Sequence, residues 1–118
     1  MKYIVAVIQP FKLSEVSSAL LEIAEFPGMT VTRVEGFGQG RARAKAAGHE
    51  PVSDFAPKIK LECAVKDSMA PAVTGVILRH AHTGNKGDGK VFVFELPCIS
   101  RIRTGEHDDE GLWSPTGQ

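Results

Sequence analysis

Residues 2–28, KYIVAVIQPFKLSEVSSALLEIAEFPG, change their hydrophobic period part-way along. The first eight, KYIVAVIQ, are rich in β-branched residues and short enough for a buried strand, which Pro10 ends. From Leu13 the spacing becomes helical. Leu13, Val16, Leu20, Ile23 and Ala24 mark one face, with Ser14, Glu15, Ser17, Ser18 and Glu22 between them. This predicts an amphipathic helix that Pro27-Gly28 stops. A strand leading directly into a helix is half of a crossover unit, and the rest of the chain supplies its partners.

MTVTRVEGF, 29–37, predicts a second strand, with Thr30, Thr32 and Val34 on one face and Val31, Arg33 and Glu35 on the other. KIKLECAVK, 58–66, predicts a third by clean alternation of Ile59, Leu61, Cys63 and Val65 against Lys60, Glu62 and Lys66. Between them, residues 36–57 lose apolar periodicity, and Gly, Ala and charge dominate. A loop of that length inside a compact domain is usually functional or mobile. Asp67 or Ser68 is a fair N-cap for a second helix, with Pro71 in its first turn. Val73, Val76, Ile77, His80 and Ala81 mark its inner face, and Thr83-Gly84 ends it. KVFVFELP, 90–97, predicts a fourth strand, and the remainder reads as short, charged and rich in Gly and Pro. The order βαββαβ interleaves two right-handed crossovers. It predicts a ferredoxin-like α+β fold, a four-stranded antiparallel sheet with both helices on one face. The opposite face would be bare in a monomer, so its apolar share should be buried against other subunits.

The chain of 118 residues fits a single domain, 1–118. Fourteen Lys plus Arg balance fourteen Asp plus Glu. That balance argues against adhesion to nucleic acid or membrane through net charge, while leaving room for a local anion site. No signal peptide is evident, and no apolar run approaches the roughly 20 residues of a spanning helix. Cys63 and Cys98 lack metal or disulfide spacing and are expected to be reduced core thiols of a cytoplasmic protein.

Three stretches favour anions. TGNKGDGKVFV, 83–93, carries Gly84, Gly87 and Gly89, which let the backbone turn tightly and aim N–H groups outward, with Lys90 at the exit. Gly84, Gly89 and Lys90 match the start of a phosphate-loop pattern, but Val91 replaces the metal-binding hydroxyl residue and the segment runs from helix to strand, the wrong order. An ordinary Gly-rich turn and an anion cradle both remain open. In RIRTGE, 101–106, Arg101 and Arg103 would share a side in extended chain and could fork onto one phosphate, or belong to a solvated tail. GFGQG, 36–40, again exposes backbone donors beside Phe37, with Lys58 across the loop base. Arg41, Arg43 and Lys45 alternate with Ala in the loop and either grip a partner or keep it solvated. No catalytic constellation emerges. His80 reads as a satisfied core histidine, and His82 and His107 as loop-edge residues.

These stretches, in this order, resemble the PII signal-transduction proteins over almost the whole length. The likeness runs through MKYIVAVIQPFKLSEVSSAL, GMTVTRVEGFG, DFAPKIKLE, TGNKGDGKVFVFE and SRIRTGE. The resemblance implies a compact homotrimer with clefts between subunits that bind ATP or ADP, and often Mg2+ and 2-oxoglutarate beside ATP. It implies that Gly87, Asp88, Gly89 and Lys90 form a phosphate-binding B-loop (83–90) and that Arg101 and Arg103, in the C-terminal loop (99–118), reach the phosphates. Thr30, Gly36, Gly38, Glu62 and Ala64 would line the nucleoside part of the cleft. Gln39 would help hold the metal and 2-oxoglutarate, and Lys58 would pair with the oxoacid. The long loop, about 38–56, would be the T-loop, which docks on transporters, enzymes or regulators of nitrogen metabolism, with no nucleic acid and no membrane insertion.

Departures concentrate in that loop. Gln39 follows Gly38 directly where the family commonly has an Arg between, so Arg41 or Arg43 would have to supply the contact. Pro51 stands where many members modify a Tyr, and Tyr3 is the only tyrosine, so uridylylation of that kind is ruled out. Ser53 remains as another acceptor. The tail GLWSPTGQ, 111–118, is unlike the usual ending, and Trp113 either docks a partner or packs onto its own trimer. The expected function is a PII-like, non-enzymatic sensor of nucleotide state. A small-molecule or metal-linked trimeric module of the same fold is the alternative. An acylphosphatase-type enzyme would need an Arg and a nearby Asn, and QPFK, 9–12, offers neither.

Overall fold

A computed structural model describes residues 1–38, 45–48 and 55–115. Four strands, β1 (Lys2–Ile8), β2 (Thr30–Gly36), β3 (Ala56–Val65) and β4 (Gly89–Glu95), form one antiparallel sheet in the order β2-β3-β1-β4. Helices α1 (Leu13–Leu21) and α2 (Ala70–His80) fill the two crossovers, and a short α3 (Asp108–Leu112) follows β4. The ferredoxin-like architecture expected from the chain pattern is therefore the one observed.

The period-2 alternation of the central strands sets the layers. Ile4, Ala6 and Ile8 of β1 and Ile59, Leu61, Cys63 and Val65 of β3 are buried, and they form the core with Val16, Leu20, Val73 and Ile77 of the helices. Each Val, Leu or Ile among them contributes about 1.5–3 kcal/mol when withdrawn from water. Strand register then fixes the other face. Tyr3 stands opposite Phe94 and Val5 opposite Phe92, so these four share the side turned away from the core. Phe92 is 43% exposed and Phe94 53% exposed. Two exposed aromatic rings on the edge strand β4 thus give the open face an apolar patch.

Several local expectations change. α1 ends at Leu21, three residues before Ala24. Ile23 and Phe26 still pack on the core, but from turns closed by Ile23 N–H to Leu20 C=O and Phe26 N–H to Ile23 C=O. Pro27 disfavours helix at the preceding residue, and Glu25 is left-handed at φ 62°. Neither Asp67 nor Ser68 caps α2; the N-cap is Met69, without a side-chain bond. Asp67 instead pairs with the chain's ammonium group at 3.0 Å, the main cause holding its pKa below the usual aspartate value. His80 is not a core histidine. It is half-exposed, and its Nδ1 lies 2.9 Å from Glu15 Oε2, tying α2 to α1. Cys63 is buried as expected, whereas Cys98 is exposed beyond the end of β4.

Candidate functional site

The Gly-rich turn after α2 is built around Asp88. Its Oδ2 accepts N–H groups of Thr83 at 2.8 Å and Gly84 at 2.9 Å, and its Oδ1 accepts the Thr83 hydroxyl. The carboxylate thus closes a ring from 83 to 88. The Thr83 hydroxyl, followed by the Thr83 amide, keeps the Asp88 pKa below its ordinary value. Lys58 reaches this turn from β3, its Nζ donating to the Gly87 carbonyl at 2.7 Å. A side-chain carbon added at Gly87 would stand 3.1 Å from the Gln9 amide nitrogen and 3.4 Å from Lys58 Nζ. Gln9, Lys58 and the turn therefore converge at one end of the sheet. A cleft of about 190 Å³, walled by Ile8, Ile77, Ala81 and Val91, opens beside it towards His82 and Asp88.

The lowered Asp88 pKa gives the clamp a pH sense. A depressed folded value adds stability that is complete above the unfolded pKa and is lost as pH falls through the folded one. Hydrogen exchange at Thr83 and Gly84, corrected for intrinsic rates, should accelerate as pH drops below about 4. Asp88→Asn should exchange fast already at neutral pH and lose that acid dependence. Unaltered protection in that variant would show that the carboxylate does not hold the turn.

Thr30, Glu62 and Ala64 lie elsewhere. Thr30 pairs with Glu62 across β2 and β3, and Ala64 pairs with Tyr3. Gly36 ends β2 opposite Ala56, and Gly38 follows it, exposed. Lys90, the second residue of β4, stands opposite Val7. With β3 and β1 lying between β2 and β4, the two outer strands are about 14 Å apart at the usual strand spacing. One chain thus holds the Thr30 side of the candidate site and the Lys90 side on opposite edges of its sheet.

RIRTGE is not extended, so the fork expected of Arg101 and Arg103 loses its geometric premise. The segment is a tight loop closed by Arg101 N–H to Glu106 C=O and Gly105 N–H to Arg101 C=O, both 2.8 Å. Arg101 Nε lies 3.5 Å from Glu106 Oε1, which also accepts the Thr104 hydroxyl at 2.9 Å. The Ser100–His107 bridge and α3 then fold the tail back, burying Leu112 and half-burying Trp113.

The family model described as "Nitrogen regulatory protein P-II" matches residues 1–106. The chain belongs to the P-II family. It is 46% identical over 113 residues to the nitrogen regulatory protein P-II 1 of Escherichia coli, covering 95% of this chain and 100% of the relative. Identity to nitrogen regulatory protein GlnK of the same organism is 42% over the same length. A crystal structure of Arabidopsis thaliana PII bound to citrate is similar with a TM-score of 0.78 and 33% identity, over 96% of this chain and 90% of the other. P-II proteins are regulatory signal transducers rather than enzymes, so the enzymatic alternative falls.

Gln39, Arg41, Arg43, Pro51 and Ser53 lie outside the described residues, as does most of the loop about 38–56. Three residues at the site had been given no role from sequence. Gln9 comes beside the B-loop through folding alone, Thr83 binds Asp88 within that loop, and Tyr3 touches Glu62 from 59 positions away. The one local signal is the presence of Thr83 and Asp88 in a Gly-rich turn, because short polar side chains there bond nearby backbone groups, as Asn85 N–H does to the Thr83 hydroxyl.

Proposed function

We propose that this P-II chain is a sensor that binds ATP or ADP at the junctions of a homotrimer and acts on a transporter, enzyme or regulator of nitrogen metabolism in the cytoplasm. The separation of Thr30 and Glu62 from Lys90 across the sheet is the observation that carries this reading. In this reading the nucleotide bridges two copies, meeting Lys90 of one and Thr30 with Glu62 of the next. The open face that carries Phe92 and Phe94 supplies the surface for that assembly. Gly87, Gly89 and Lys90 of one subunit would hold the phosphates, with Arg101 and Arg103 completing the charge. Gly36, Gly38 and Ala64 would contribute backbone groups around the nucleoside.

Beside ATP, Mg2+ and 2-oxoglutarate form the finer part of the reading, through Gln39 and Lys58. The citrate in the Arabidopsis relative shows that a P-II protein takes an organic polycarboxylate, and Lys58 is a cation already placed at the B-loop here. Target control would pass through the T-loop. No group of three His, Cys, Asp or Glu side chains able to hold a metal occurs among the described residues, so no observation favours the metal-linked alternative.

Calorimetry with ATP and ADP tests the reading. Lys90→Ala removes a cation from phosphate and should weaken binding by about 1.5–3 kcal/mol, roughly ten- to hundredfold. Unchanged affinity would remove Lys90 from the site, and monomeric sedimentation would remove the shared cleft. If protein loaded with Mg2+ and ATP gives no heat with 2-oxoglutarate, the chain reads adenylate state or another small molecule.

A further inference from the structure

On the open sheet face, the Tyr3 hydroxyl donates to Glu62 Oε1 at 2.9 Å. The two residues are diagonal neighbours, since Tyr3 stands opposite Ala64 and Val5 opposite Glu62. An aromatic side chain is long enough for that diagonal. Lys60 Nζ stands 3.9 Å from the same carboxylate oxygen. Oε1 is therefore taken, while Oε2 has no hydrogen-bond partner among the described residues. The Glu62 side chain is 23% exposed, so that oxygen is held in place yet can be reached.

An ionised carboxylate accepts hydrogen bonds and cannot donate them. A group that hydrogen-bonds to Oε2 must therefore bring the proton. In an adenine nucleotide, the groups that do so away from the phosphates are the sugar hydroxyls and the 6-amino group. We propose that Tyr3 is a positioning residue of the nucleotide cleft: it fixes the Glu62 carboxylate so that its second oxygen accepts from a donor of the nucleoside. This rests on the adenine-nucleotide reading, which places Glu62 at the nucleoside. The bond selects as well as binds, because a nucleoside lacking the donor leaves a partly buried carboxylate oxygen without a partner. Burial, then the Glu62 contact, raises the Tyr3 pKa, so the phenol keeps its proton throughout the neutral range.

The test compares Tyr3→Phe with the unaltered full chain by calorimetry. The probes are ATP, 2′-deoxy-ATP, 3′-deoxy-ATP and purine riboside triphosphate, which delete each sugar hydroxyl and the amine in turn. In the unaltered chain, one analogue should bind more weakly than ATP, and its identity names the donor. Tyr3→Phe should weaken ATP about three- to tenfold and shrink the penalty of that same analogue, with the trimer intact by sedimentation. Adding Tyr3→Phe to Glu62→Ala should change nothing further, because Tyr3 acts through the carboxylate.

Equal weakening of all four ligands would mean a merely structural tyrosine and would overturn the proposal. So would an analogue penalty identical in the two proteins, the absence of any penalty in the unaltered chain, or a further loss in the Glu62→Ala background. If the unaltered chain binds no adenine nucleotide, the site reading itself fails and the role of Tyr3 falls with it.

Discussion

Gly89→Ala is expected to tear the start of β4 from β1 and to abolish the B-loop. Gly89 has φ +102°, and a Cβ there would sit 1.7 Å from the Val7 carbonyl oxygen and 2.8 Å from its carbon. Val7 belongs to a central strand bonded on both sides, so it has nowhere to retreat. Relief must come from Gly89, at the expense of the Ile8–Gly89 and Val7–Lys90 pairings. The left-handed backbone alone costs about 1–2 kcal/mol for a residue with Cβ. A backbone overlap and lost ladder bonds bring the total to roughly 4 kcal/mol or more, the range reserved for named defects. Urea unfolding should show this as a large fall in midpoint. Gly105→Ala is the control: φ is +75°, but no atom lies within 4 Å of the added carbon. It should lose only the conformational part, about 1–2 kcal/mol. Equal losses in the two variants would show that the Val7 contact is not the cause.

The same residue marks the limit of local sequence patterns. Gly89 stood out in sequence as one of three glycines before Lys90, and an anion cradle and an ordinary turn looked alike. The reason for the glycine is a carbonyl 82 positions earlier, which no local pattern contains. The fold itself was legible because it rests on periodicity. The alternation of Ile59, Leu61, Cys63 and Val65 assigned those residues to the buried face, and all four are there. Where local chemistry competes with tertiary partners, the reading failed. Asp67 looks like a helix cap, yet the ammonium group of Met1 offers it a charge-assisted bond. His80 falls on an apolar spacing, yet Glu15 of the facing helix draws it to the rim. Arg101 and Arg103 would align only in extended chain, and Gly105, at φ +75°, lets 101–106 close into a loop instead. The residues of the candidate cleft were named through family likeness. Their division between two sheet edges became visible only with the strand order.

Val5→Asp should dissolve the proposed trimer and take nucleotide binding with it, while leaving the subunit folded. Val5 sits on β1 with Glu62 opposite on one side and Phe92 on the other, and its side chain points to the open face rather than to the helices. The buried core, from Ile4, Ala6 and Ile8 to the two helices, does not include it. In a single subunit Val5 is only partly buried, so the new carboxylate keeps contact with water, and poor strand propensity with the like charge of Glu62 opposite should cost only about 1 kcal/mol in urea unfolding. In an assembly that closes over Phe92, it would be withdrawn from water beside the like charge of Glu62, in every subunit at once. Removing one ion from water costs on the order of several kcal/mol after relaxation, and a cyclic interface repeats that cost at each junction. Sedimentation should therefore report monomers, circular dichroism an unchanged fold, and calorimetry no heat with ATP. Val5→Ala, which shortens the side chain without charging it, should keep both assembly and binding. Monomers that still bind ATP at full affinity would place the whole nucleotide site within one chain, against the separation of Thr30 from Lys90. A trimer that survives Val5→Asp would mean that the subunits meet through some other surface.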